Sequence, residues 1–195
     1  MSTGLAAGIA LAAAGAGARV EIVTRLGEDA AGDAVLLAFA AANVGHVATL
    51  RDAAHATWVD RRPEEPVDPD ASDALDDGPD GRATGPTSVP PVLDAGDVGL
   101  ALRYLGEYRV IVVVHAAEAG ILREAAAATS WASAHLVCVT VPDAPIPSDL
   151  PPDAVVLTAA DDAEALAGML GRYAAAVDGG DAPEAAFRAT LGSPA

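Results

Sequence analysis

The sequence predicts an α/β fold: a mainly parallel sheet covered by helices on both faces, with a small two-stranded lid. Three observations predict it. The runs 110–114, 136–141 and 155–158 are short and almost wholly apolar, which marks strands buried on both faces, as parallel sheets are. Helix-forming segments alternate with them, as βαβ units require. Finally, 195 residues that are 52% hydrophobic but only 4% aromatic suffice for one domain with an Ala, Val and Leu core, and are too few for two catalytic domains.

Each element follows from local chemistry. Residues 5–14 are Ala-rich helix formers closed by Gly15 and Gly17, a buried helix with a glycine stop. Strand 20–23 comes next. Arg25 to Asp33 reads as a loop into the apolar helix 34–42, ended by Asn43 and Gly45. Residues 46–50 and 56–60 read as two strands about Asp52-Ala53-Ala54, a hairpin-like lid. The composition then shifts, since residues 63–82 hold eight acidic residues, four Pro and one Arg. A segment of about 61–91 is therefore expected to be an acidic, Pro-rich flexible loop inside a single 1–195 domain. Order is expected to return near Val92, with a cap at Asp94 or Asp97, helix 98–105, strand 110–114, helix 121–128, and strands 136–141 and 155–158. A helix 162–177, a Gly179-Gly180 turn and a helix 183–191 capped by Asp181 complete the chain.

Charge narrows the partners. The chain carries 28 acidic residues against 11 basic ones, all Arg, for a net charge of -17. A phosphate-neutralising surface is excluded by that balance, so no nucleic acid is expected, and no anionic membrane. The acidity suits either a GC-rich genome or a salt-adapted proteome. Cys138, the single cysteine, lies within an apolar strand and reads as a buried core thiol. The apolar N-terminal stretch has no basic residue before Arg19 and is too short to span a bilayer, so the expected location is cytoplasmic. Because a lone two-stranded lid is marginal and its edges invite pairing, a homodimer through the lid strands is expected.

Motif spacing adds a family resemblance. Thr3-Gly4-Leu5-Ala6-Ala7-Gly8, then Gly17-Ala18-Arg19-Val20, then Leu26-Gly27-Glu28-Asp29-Ala30-Ala31-Gly32-Asp33 resembles the opening signature of the ribokinase-like PfkB carbohydrate kinases. There a Gly-Gly-x-x-x-Asn helix leads to a valine-glycine-x-Asp-x-x-Gly step. Asn43 to His46 resembles the family's entry into its lid, and Ala56-Thr57-Trp58-Val59-Asp60 resembles the lid strand with a substrate-facing Thr. Asp161-Asp162-Ala163-Glu164-Ala165 resembles the family's Asn-x-x-Glu-Ala motif. The resemblance implies a ribokinase-like, Rossmann-like domain with Gly4, Gly8, Gly27, Asp29 and Thr57 at a sugar or nucleoside site. It also implies Asp161 and Glu164 near Mg²⁺ through water, and ATP and Mg²⁺ as cofactors of any kinase activity. Acidic residues at a helix start are also stabilising in themselves.

The departures shape the functional expectation. Thr3 stands for the first motif Gly, and Gly8 stands for the Asn that would bond a sugar hydroxyl. The family's first strand, with its sugar-binding Asp, would precede Thr3, and its nucleotide pocket and Gly-Ala-Gly-Asp anion hole would follow the last residues here. Asp94-Ala95-Gly96-Asp97 differs from that anion-hole motif by one residue and precedes a helix. Asp97 is thus the one candidate catalytic base, set against a plain helix cap. Gly15-Ala16-Gly17 precedes a strand and is followed by Val20 where a dinucleotide fingerprint needs Gly. His115 ends a strand at the carboxyl edge, and Trp58 suits sugar stacking or a dimer contact. The expected function is a PfkB-like homologue without phosphotransfer of its own, keeping a weak small-molecule site or an association role. The alternatives are an active sugar or nucleoside kinase completed by a partner chain that supplies the nucleotide half, and a purely structural or interaction protein.

Overall fold

The computed structural model describes residues 4–57, 91–114, 119–142, 150–159 and 162–192. In chain order the elements are α1 (Leu5–Gly15), β1 (Glu21–Gly27), α2 (Ala30–Ala41), β2 (Gly45–Asp52), α3 (Ala95–Leu105), β3 (Val110–Val114), α4 (Ala119–Ala132), β4 (His135–Thr140), β5 (Val155–Thr158), α5 (Ala163–Asp178) and α6 (Pro183–Gly192). The expected acidic loop lies outside the described residues except for Pro91, as do Trp58, His115 and Asp161.

The protein is α/β, and every strand pair among the described residues is parallel. These strands form two sheets, β1-β2 and β3-β4-β5, where the sequence suggested one. In the larger sheet the pleat sorts side chains by parity. Val110, Val112, Val114, Val137, Val139, Val155 and Leu157 pack with α1, α5 and α6. Ile111, Val113, Leu136, Cys138 and Val156 pack with α3 and α4. Apolar residues at every position thus mean two covered faces, as expected.

Helix α1 belongs to both halves. Ile9 joins the core of the larger sheet, while Ala10 packs with Ile22, Phe39 and Val44 of the smaller one. Its contact with α5 is tight because both helices carry small residues: a Cβ on Gly171 would lie 2.7 Å from the Ala13 nitrogen, and one on Gly8 would lie 3.2 Å from the Ala167 Cβ. Gly17, with φ 94°, then reverses the chain toward β1. Asn43, with φ 57°, does the same between α2 and β2.

Of the expected lid strands, residues 46–50 lie in β2, which runs parallel to β1 with Gly27 opposite Asp52. Ala56 and Thr57 are loop, and 58–60 lie outside the described residues. The polar break that looked like a hairpin turn is a local turn at a strand end, where the Ala54 N–H donates to Asp52 Oδ1 at 2.8 Å. Helix α2 also begins earlier than its composition suggests, at Ala30, because Asp29 caps it. At the start of α6 it is the Ala182 carbonyl that accepts from the Ala185 and Ala186 N–H groups, next to the Asp181 that the sequence suggested.

At the amino end of β4, His135 is 7% exposed and Tyr173 is 1% exposed. Their rings meet edge to face at 6.0 Å, and Tyr173 meets Phe187 at 6.1 Å. Neither imidazole nitrogen, nor the Tyr173 hydroxyl, has a hydrogen-bond partner among the described residues.

Candidate functional site at the carboxyl edge of β1 and β2

In open parallel sheets ligands gather beyond the carboxyl ends of the strands, where the following helices begin. Three of the residues singled out from sequence, Gly27, Asp29 and Thr57, meet there. Asp29 Oδ1 accepts the Gly32 N–H at 2.7 Å and Oδ2 accepts the Thr57 N–H at 2.7 Å. The Thr57 hydroxyl in turn accepts the Gly27 N–H at 2.9 Å. Chiefly through the Gly32 N–H, these bonds hold the Asp29 carboxyl below its ordinary range. Glycine is required at two corners: a Cβ on Gly27 would lie 2.5 Å from the His55 carbonyl oxygen, and one on Gly32 would press on the Gly27 oxygen and on Thr57 Oγ1.

Beside this knot sits a charged chain that sequence reasoning missed. Arg25 reaches Asp97 Oδ2 at 2.5 Å and Asp52 Oδ2 at 3.8 Å. His55 Nδ1 lies 3.0 Å from the same Asp52 oxygen. The Ala54 N–H first, then His55, holds the Asp52 carboxyl below its ordinary range. The one available signal was an Arg standing four residues before a motif Asp.

Asp97 is thereby placed. It is the third residue of α3, where its carboxylate accepts the Asp94 N–H at 3.2 Å while Asp94 Oδ1 accepts the Asp97 N–H at 2.8 Å, a reciprocal capping box. Asp94 thus occupies one of the N–H groups that an anion would need, and its charge repels one.

The other candidates lie apart. Gly4 is exposed just before α1, and Gly8 faces α5. Glu164 is exposed in the first turn of α5, where Asp162 is the cap, accepting the Ala165 N–H at 2.9 Å. No group of three or more metal-ligating side chains occurs among the described residues, nor does any helix there have the length and apolarity to cross a membrane.

No family model matches the chain. No curated protein matches it either. Among solved structures it is similar to a fructokinase from Xylella fastidiosa with bound ATP, at 14% identity and a TM-score of 0.47, over 98% of this chain and 59% of that one. A second fructokinase structure from the same organism is similar at 16% identity and a TM-score of 0.46, over 97% of this chain and 57% of that one. The chain thus spans less than two thirds of the length of both.

Proposed function

We propose that the chain is a ribokinase-like α/β domain that transfers no phosphate on its own and serves through association, with any sugar or nucleoside contact confined to the edge around Asp29 and Thr57. One observation carries this reading: the carboxyl edge spends its polar groups on itself. Phosphoryl transfer needs a carboxylate poised on a substrate hydroxyl and N–H groups aimed at an anion. Here Asp97 is engaged by Arg25 and by the Asp94 N–H, and both Asp29 oxygens accept backbone N–H groups. Gly8, the motif's Asn position, is turned into the α1–α5 contact, where a larger side chain meets Ala167. The spacing from Thr3 to Gly32 supports the kinship.

The test is ADP release by the purified chain with ATP and Mg²⁺ across a panel of sugars and nucleosides. Background turnover is expected, unchanged in Asp97→Asn, with a stability loss of up to about 2 kcal/mol from the disturbed cap. Turnover that depends on ATP and Mg²⁺ and vanishes in Asp97→Asn would overturn the reading. Association is proposed to be homodimeric through the outer edge of β2, where Val47 is 63% exposed. Sedimentation of Val47→Lys as a monomer beside a dimeric parent is the expected outcome.

A further inference from the structure

Strand alternation sends His135, like Val137 and Val139, to the face of the larger sheet that α1, α5 and α6 cover. The covering there is layered. Tyr173 of α5 meets the imidazole edge to face, and Phe187 of α6 meets Tyr173 in the same way. The backbone at this point is settled, since the His135 N–H donates to the Arg109 carbonyl at 2.7 Å. The side chains are not: both imidazole nitrogens and the Tyr173 hydroxyl are buried without a hydrogen-bond partner among the described residues.

The outer layer is also the most lightly held. Helix α6 packs chiefly against α5, and it commits only Ala186 and Thr190 fully to the interior, with Phe187 half-buried. The Thr190 hydroxyl bonds within its own helix, to the Phe187 carbonyl. Between α5 and α6, Gly180 takes φ 105°, a turn open to glycine and a natural hinge. Charged groups stand on every element around the ring: Asp153 before β5, Arg109 before β3, Arg172 and Asp178 on α5, Asp181 in the turn, and Glu184 and Arg188 on α6. Of these, Asp153 acts on the imidazole, favouring its charged form, and burial outweighs it.

A neutral imidazole hides one N–H and one lone pair, whereas an imidazolium hides two donors and a charge. Protonation therefore raises the cost of keeping the ring dry, and the least fastened layer yields first. We propose that the His135–Tyr173–Phe187 stack is an acid-sensitive latch: protonation of His135 swings α6 away at Gly180 and lets water reach the ring while both sheets stay folded. Opening bares Ala186, Phe187 and the α5 surface around Tyr173, an apolar patch covered at neutral pH. The latch sits at the amino end of β4, away from the carboxyl edge, and does not depend on the proposed function.

The test is amide hydrogen exchange of the full chain from pH 7.5 to pH 5, each rate divided by its intrinsic value at that pH. Protection in α6 is expected to be lower than in β4 and to respond only weakly to denaturant, the mark of a local opening. It is also expected to fall below pH 6.5, by up to about thirtyfold at pH 5, and His135→Phe should abolish that fall. The parent protein alone is decisive should the variant not fold. Protection in α6 equal to that in β4 at every pH would overturn the latch, because the proton then acts only through global unfolding. Weak α6 protection that ignores pH would overturn it as well, the helix then opening without uncovering His135. So would acid-dependent exposure of residues 153–155 with α6 still protected, the ring then reaching water beside Asp153.

Discussion

At the scale of single residues, the same carboxylate that caps α2 also fastens the loop after β2. Losing the Asp29 side chain strands two N–H groups, those of Gly32 and Thr57. Asp29→Ala is therefore expected to cost about 1–3 kcal/mol in denaturant unfolding. Its lowered pKa fixes a sign: the stabilisation is complete above the ordinary carboxylate value of 3.8 and is lost as pH falls through the lower folded value. Asp29→Asn should flatten that acid limb of the melting curve. His135 acts in a higher window. Burial pushes its imidazole below the usual 6.5, with Asp153 opposing weakly, so the folded state refuses a proton that the unfolded chain accepts. Stability is expected to be flat above about 6.5 and to decline as pH falls below it, and His135→Phe, which keeps a ring against Tyr173, should remove that decline from thermal melts between pH 7 and 5.

Between helices, glycine has opposite consequences one turn apart. A methyl group added at Gly168 would meet only Arg172 Nη1, at 3.5 Å, whereas Gly171 is pressed against the Ala12 and Ala13 backbone of α1. Gly168→Ala is expected to stabilise by about 0.5–1 kcal/mol, and Gly171→Ala to destabilise by about 1–3 kcal/mol through forced separation of α1 and α5; chemical denaturation of the two variants checks the contrast. These elements show what could be read from the chain. Strands such as β3 and β5 were legible because parallel burial makes every position apolar, and β5 was bounded correctly. The register of β2 was not, because an Asx turn and a hairpin turn share the residues Asp and Ala, and only the partner strand tells them apart. The start of α2 was hidden by Gly32, which looks like a loop residue and is instead the closest point of approach to Gly27. At the candidate site Gly27, Asp29 and Thr57 were found by motif spacing. Arg25 and Asp52 were not, since their meeting with Asp97 joins positions up to 72 residues apart.

For the molecule as a whole, Cys138 offers a reporter of opening. It is 1% exposed in the middle of the larger sheet, and burial pushes its thiol up to about 11. The native protein is expected to resist thiol reagents at pH 8, with labelling that tracks the unfolded fraction in denaturant; rapid labelling without denaturant would contradict the burial. Because β1 and β3 exchange no ladder bonds among the described residues, the two sheets are joined chiefly by α1, with Ile9 in one core and Ala10 in the other, and secondarily by α3, where Arg25 meets Asp97 and Val23 packs against the core around Val98. Cooperativity therefore rests chiefly on one helix. Loosening its seat at Gly171 should do more than lower the midpoint: it should split one melting transition into two, with the β1-β2 half opening first and the β3-β4-β5 half, still holding Cys138 out of reach, following at higher temperature.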